Sequence, residues 1–215
     1  MKFVSLALVA CLIPVAYCDN LILNGRFEAD QVEVPTYWRS SDPDGTLKIM
    51  SCRPSGGPGG IPGVRFANPP GSKLQTASLR QYDLTLVKGG RYRISAWVRT
   101  KEFRPRRFGI IVINAKWRLS GGIEKVEPTA DWHKLEAEID MFDSLDGRYS
   151  VAIFMQKFTG EIEVADVALE PLSEDAKMMK KVISSSTTTG MPRMTLTYRS
   201  HSQQMGFIAG ASSPK

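Results

Sequence analysis

Along the middle of the chain, apolar and polar residues alternate with a period of two. The run from Tyr92 to Arg99 places Tyr92, Ile94, Ala96 and Val98 on one side and Arg93, Ser95, Trp97 and Arg99 on the other. That is the pattern of a half-buried β-strand, and Gly89-Gly90 before it supplies a tight turn. Similar runs occur at Leu47–Ser51, Val64–Ala67, Ala77–Leu86, Gly109–Arg118, Lys134–Met141, Tyr149–Lys157 and Glu161–Leu169. Glycine, proline or Asp/Ser clusters divide most of them. About nine strands with no helical periodicity between them predict an all-β, antiparallel sandwich rather than a parallel α/β sheet. Arg53 to Pro62, rich in glycine and proline, is expected to be a loop.

The two ends read differently. Lys2 followed by the apolar run Phe3–Ala16 has the charged start and short apolar core of a secretory signal, too short for a bilayer span of about 20 residues. Ala16-Tyr17-Cys18 offers small residues at −3 and −1, so cleavage is expected after Cys18, giving a secreted, extracellular chain. Periplasm or cell surface are the neighbouring options. Leu8-Val9-Ala10-Cys11 has lipobox character, but more apolar sequence follows Cys11, so ordinary cleavage is the reading taken. After Pro171, Ser173-Glu174-Asp175 predicts a helix N-cap and acidic first turn running into Ala176–Ile183. Ser184–Thr189 reads as a low-complexity linker, and Gly190–Lys215 as mostly disordered. The expected organisation is a signal peptide at 1–18, one β-sandwich at 19–172, and a tail at 173–215.

Cysteine and charge counts change the picture in two ways. Of three cysteines, Cys11 and Cys18 lie in the signal, leaving Cys52 with no intramolecular partner. Stability must then come from the core, for which about 150 residues suffice. The net charge of +6 suggests a nucleic-acid partner until it is apportioned. The tail from Ser173 holds six basic residues against two acids, and Lys2 adds one more, so residues 19–172 are left at +1. Bulk charge therefore gives no ground for a nucleic-acid partner.

Four stretches resemble the carbohydrate-binding modules of families four and nine, jelly-roll sandwiches of the galactose-binding-like type. They are Asn20-Leu21-Ile22-Leu23-Asn24-Gly25-Arg26-Phe27-Glu28, the hairpin Leu84–Arg99, Asp131-Trp132-His133-Lys134-Leu135, and Gly160–Leu169 with Asp166-Val167 near its close. Trp38 stands where that family places its early tryptophan. The resemblance implies a non-catalytic module that binds a polysaccharide or oligosaccharide, of a kind commonly attached to glycoside hydrolases. Whether the chain is free-standing or part of a larger enzyme is left open. The resemblance also implies a structural Ca²⁺, with Glu28 and Asp166 as oxygen ligands alongside backbone carbonyls. Ala165 departs from the family pattern, standing where an acid is common.

Sugar binding needs ring faces for stacking and fixed polar groups for hydroxyls. Of the four tryptophans, Trp38 and Trp132 match fold-signature positions and are expected in the core. Trp117 shares a strand face with Ile111, Ile113 and Ala115, which also reads as core, leaving Asn114, Lys116 and Arg118 outward. Trp97 sits among Arg93, Ser95 and Arg99, so this strand face is the first candidate for a glycan. Arg80 and Tyr82 share a face of Ala77–Leu86, whose direction Leu84 and Leu86 leave ambiguous, and Gln156 ends Tyr149–Lys157. The loop Phe103–Phe108 adds Arg104, Arg106 and Arg107. Guanidinium forks suit carboxylate and sulfate, so an acidic polysaccharide is the sharper expectation. A neutral glycan, or ordinary solvated side chains, is the plainer one. A surface adhesion sandwich that binds protein is the competing class, favoured if Trp97 is buried and no other aromatic is accessible.

A catalytic reading rests on Glu138-Ile139-Asp140-Met141-Phe142-Asp143, which looks like the paired-acid motif of laminarinase-type glucanases. Retaining chemistry needs two carboxyls about 5–5.5 Å apart. Here the acid/base position is an aspartate, and Glu136, Glu138 and Asp140 simply alternate with apolar residues, as in any half-exposed strand. No catalytic residue is therefore assigned. His133 and His201 are isolated, and no zinc spacing, nucleophile elbow or phosphate-binding glycine loop occurs.

Overall fold

The computed structural model describes residues 20–28, 34–40, 46, 48–114, 118–128, 131–141 and 148–177. Among the described residues nine strands form the fold: β1 (Arg39–Ser40), β2 (Met50–Arg53), β3 (Gly63–Asn68), β4 (Gln75–Thr85), β5 (Arg91–Arg104), β6 (Arg107–Asn114), β7 (Leu119–Ile123), β8 (His133–Asp140) and β9 (Arg148–Pro171). Every pairing is antiparallel. Sheet A runs β1-β4-β9-β6-β7, and sheet B runs β2-β3-β9-β5-β8. The all-β antiparallel sandwich expected from the alternation is what forms.

Two of the expected strands, Tyr149–Lys157 and Glu161–Leu169, are one. β9 is 24 residues long. Its first half lies between β4 and β6 in sheet A, and its second half between β3 and β5 in sheet B. The bend falls at Lys157 and Gly160, both with positive φ. β5 bends with it: Glu102 also has positive φ, and the β5–β9 register shifts between Lys101 and Arg104. A Cβ on Gly160 would stand 2.2 Å from the Glu102 carbonyl oxygen, so only glycine fits. Phe158, fully buried at the bend, has its carbonyl capped by the Asn68 Nδ2 amide at 2.7 Å. The strand predicted at Gly109–Arg118 ends at Asn114, and a separate β7 follows that alternation did not reveal.

The core lies between the sheets. Tyr92, Ile94, Ala96 and Val98 all face it, as predicted. They meet Leu79, Ile110, Val112, Ile153 and Met155 from sheet A, and Phe66, Ile162, Val164 and Leu169 from sheet B. Each such side chain fully removed from water contributes about 1.5–3 kcal/mol. Tyr92 keeps its polar end satisfied, its Oη accepting the Val87 N–H at 2.9 Å, while burial pushes its phenol pKa up. Cys52 on β2 is half-buried and outside any disulfide, and burial raises its pKa too.

The start of the sandwich is latched to its end. Asn20 Oδ1 accepts N–H groups from Ile22 and Leu169, both at 2.9 Å, and its Nδ2 donates to the Val167 carbonyl at 3.2 Å. Leu21 N–H donates to Leu169 O and Val167 N–H to Gly25 O. A Cβ on Gly25 would stand 2.0 Å from the Val167 carbonyl oxygen. Trp38 is buried as expected, its Nε1 donating to Asn24 O at 3.0 Å and its ring 5.0 Å from Phe27. The N-cap at Ser173 also forms: its Oγ accepts the Ala176 N–H, and residues 174–177 are helical. The predicted signal, linker and tail lie outside the described residues. Among the described residues no helix is long and apolar enough to cross a membrane.

Because the bend residue couples both sheets, Gly160→Ala is expected to lower unfolding stability by about 2 kcal/mol or more. Equilibrium urea denaturation of the full chain, with and without the substitution, measures it.

Candidate functional site

The outer face of sheet A is unusual in being apolar at its centre. The run Gly109-Ile110-Ile111-Val112-Ile113 on β6 leaves both strand faces hydrophobic, and the sequence reading assigned them the wrong way round. Ile110 and Val112 enter the main core. Ile111 and Ile113 point outward and form a separate small cluster with Ala152 and the half-buried Phe154 of β9. Gly109 and Phe154 are direct cross-strand partners. A Cβ on Gly109 would stand 2.7 Å from Phe154 Cε1 and 3.2 Å from Cδ1, so the phenyl ring occupies the space the glycine leaves open.

Guanidinium groups surround this apolar strip. It floors a cleft of about 600 Å³ whose rim carries Arg80, Arg106, Arg107 and Glu124. Arg80 is 6% exposed, and its Nε donates to Ser78 Oγ at 3.0 Å. Burial lowers its pKa, with the neighbouring Tyr82 phenol acting in the opposite direction. Ser78, Arg80 and Tyr82 alternate with the inward Ala77 and Leu79, which settles the direction that Leu84 and Leu86 left ambiguous. The reversal comes from a bulge between Gln81 and Leu84, where Asp83 takes positive φ. Tyr82 is 42% exposed. Arg39 on β1 stands directly across from Arg80. Gln156, half-buried, stands across from Arg107.

The outer face of sheet B is instead a lattice of internal ion pairs. Arg99 pairs with Glu163, and Arg65 with Glu161 at 2.6 Å. Arg91 pairs with Glu138 at 2.6 Å and Asp140 at 3.3 Å, and Arg93 with Glu138 at 3.6 Å. The Lys134 ammonium, hydrogen-bonded to Glu136, holds that carboxyl below its ordinary pKa. The charges read in sequence as a ligand surface at Arg93 and Arg99 are thus met by the chain's own acids. Trp97 is half-buried, with Lys134 and Ala165 as cross-strand neighbours. Ala165, though on the outward face, is fully buried: a Cβ on Gly57 of the 53–62 loop would stand 2.9 Å from its own Cβ. An acid at 165 would be buried beneath that loop. Trp132, expected in the core, is only half-buried and lies 5.0 Å beneath the Arg99 guanidinium.

The nine candidate ligand residues therefore do not share one surface. Arg80, Tyr82 and Gln156 lie on sheet A, whereas Arg93, Trp97 and Arg99 lie on sheet B. Asn114 is buried rather than outward, because its parity is that of Ile110 and Val112. Its Oδ1 accepts the Arg118 N–H at 2.9 Å, closing the β6–β7 turn. Arg118 is exposed beside it, and Lys116 and Trp117 lie outside the described residues. Sequence reasoning missed Phe154, whose signal was an aromatic at the same parity as Gln156. Of the acidic motif, Glu138 and Asp140 are both held by Arg91, while Asp143 lies outside the described residues.

Glu28 and Asp166 do come together, lining one cleft of about 620 Å³ between the chain ends. Arg26 Nε lies 3.5 Å from Asp166 Oδ1. Asn24 Nδ2 donates to the carbonyls of Glu28 and Thr36 at 2.8 and 3.1 Å. Among the described residues no group of three or more His, Cys, Asp or Glu gathers anywhere. A hard cation here would thus draw most of its oxygens from carbonyls and water.

No protein-family model matches this chain, and no curated protein matches it. Solved structures do. The CBM22-1 xylan-binding domain from Paenibacillus barcinonensis Xyn10C superposes with a TM-score of 0.50 at 10% identity, covering 73% of this chain and 96% of that one. A putative sugar binding protein from Bacteroides thetaiotaomicron gives 0.50 at 16% identity, covering 71% and 100%. The enzymatically active domain of tailspike protein 4 from bacteriophage CBA120 gives 0.52 at 11% identity, covering 72% of this chain and only 22% of that one. At such identities the shared property is the fold, an antiparallel β-sandwich of about this chain's described extent.

Proposed function

We propose that this chain is a secreted, non-catalytic carbohydrate-binding module that holds an acidic glycan across the outer face of sheet A. The observation that carries this reading is Phe154 lying over Gly109 at the floor of a cleft rimmed by arginines. The half-buried Phe154 ring, seated on the largely buried Ile111 and Ile113, offers the C–H faces of a pyranose an apolar surface. Among the described residues that line the cleft, Arg80, Arg106 and Arg107 face one carboxylate, Glu124, which leaves an excess of positive charge. Arg39, directly opposite Arg80, adds to that excess. Carboxylate or sulfate groups on the sugar chain match it.

Two of the fold neighbours are described as a xylan-binding domain and a putative sugar binding protein, which agrees with this reading. So does the resemblance to families four and nine, with the association with a glycoside hydrolase that it brings. A protein-binding sandwich would be favoured by a buried Trp97 without another accessible aromatic. Tyr82 and Phe154 on sheet A favour sugar instead. The pairing of Glu138 and Asp140 with arginine suits a structural lattice better than acid/base catalysis.

Affinity electrophoresis of the full chain through gels carrying neutral or sulfated polysaccharide tests the proposal. Retardation is expected to be strong in the sulfated gel and to be weakened by Phe154→Ala. Equal retardation by both gels would remove the acidic ligand. An unaffected Phe154→Ala would remove the site.

A structural Ca²⁺ at Glu28 and Asp166 is part of the same proposal, with the ion taking Arg26's place beside Asp166. Chelation followed by a thermal melt is expected to lower the midpoint by several degrees. An unchanged midpoint leaves the cleft to the Arg26–Asp166 pair.

A further inference from the structure

We infer that sheet B carries a second anion-binding groove, on the side of the sandwich opposite the proposed glycan face. It is formed by Arg53, Arg65, Arg99 and Lys101 and takes the sulfate or carboxylate groups of an acidic glycan. The groove has a volume of about 430 Å³. Its walls bring these four cations, from β2, β3 and β5, around only two carboxylates, Glu161 and Glu163 of β9.

The strand register explains the arrangement. Arg65, Glu163 and Arg99 form one row across the sheet, and Glu161 and Lys101 lie in the next. Arg53 lies in the row before, opposite Gly63. Successive rows on one face are about 7 Å apart, so positive charge recurs along the groove at the scale of a sugar unit. The two acids are already committed. Glu161 binds Arg65 through both Nη2 and Nε, and Glu163, 8% exposed, binds Arg99 through Nε.

These pairs fix the arginines without exhausting them. A guanidinium carries five N–H donors, and here one or two are used. Arg99 is further held against the Trp132 ring. Among the described residues Arg53 and Lys101 form no ion pair, so the groove keeps an excess of two positive charges. Its lining holds no ring or aliphatic side chain for stacking. Recognition there is therefore by charge and hydrogen bonding, which selects oxyanions over neutral sugars.

Two anion-accepting faces on opposite sides of one sandwich would let a single chain bridge two glycan segments. The bridging rests on the sheet A reading, whereas the groove stands without it. Isothermal titration of the full chain with a fully sulfated hexasaccharide separates the two. The expected stoichiometry is two hexasaccharides per chain. Combining Arg53→Gln with Lys101→Gln should bring it to one, weakening the sheet B site about tenfold or more and leaving the thermal midpoint unchanged. Phe154→Ala should remove the other site and leave the sheet B site intact. A wild-type stoichiometry of one that the Arg53/Lys101 pair of substitutions does not weaken would overturn the groove. A stoichiometry of one that they abolish would uphold the groove and remove the sheet A site.

Discussion

β9 is the constraint on which the remaining structure depends. A single strand that begins between β4 and β6 and ends between β3 and β5 belongs to both sheets, so neither sheet forms without the other. Its bend at Gly160 fixes where the sheets separate and hence how their inner faces meet. Its alternation then fixes both outer faces at once. In the first half, Val151, Ile153 and Met155 go inward and Ala152 and Phe154 go outward. In the second half, Ile162 and Val164 go inward while Glu161 and Glu163 go outward. The apolar floor on one side and the acidic lattice on the other are products of the same strand.

That division explains why two arginine-bearing surfaces differ in character. On sheet B the β9 acids stand opposite arginines, so most charge is neutralised within the sheet, and the excess is left at Arg53 and Lys101. On sheet A the outward β9 residues between β4 and β6 are alanine, phenylalanine and glutamine, so this strand contributes no carboxylate to that face. Like-charged Arg39 and Arg80 in register sharpen the contrast.

Much of the fold was legible because burial and alternation agree along β5, where Tyr92, Ile94, Ala96 and Val98 all face the core. The opening motif was legible for a different reason. Asn20 and Gly25 meet the last strand through hydrogen bonds and a contact too close for a Cβ, so these positions tolerate little else. The site was less legible. β6 is apolar on both faces, so parity alone could not choose between Ile110 and Ile111, and the choice came from β9 far along the chain. Trp97 drew attention by its charged neighbours, but its surroundings depend on a glycine-rich loop folded over Ala165 that no periodicity reveals. Phe154 stood at an outward parity beside Gln156, a signal that only its Gly109 partner makes specific.

The proposed place of the ligand is against the outward isoleucines of β6. Methyl NMR of the isoleucine-labelled full chain, titrated with a soluble acidic oligosaccharide, tests it most directly. The δ1 methyls of Ile111 and Ile113 should shift with saturation, while those of Ile94, Ile110 and Ile162 in the core stay in place. Saturable binding that leaves Ile111 and Ile113 unmoved would contradict it.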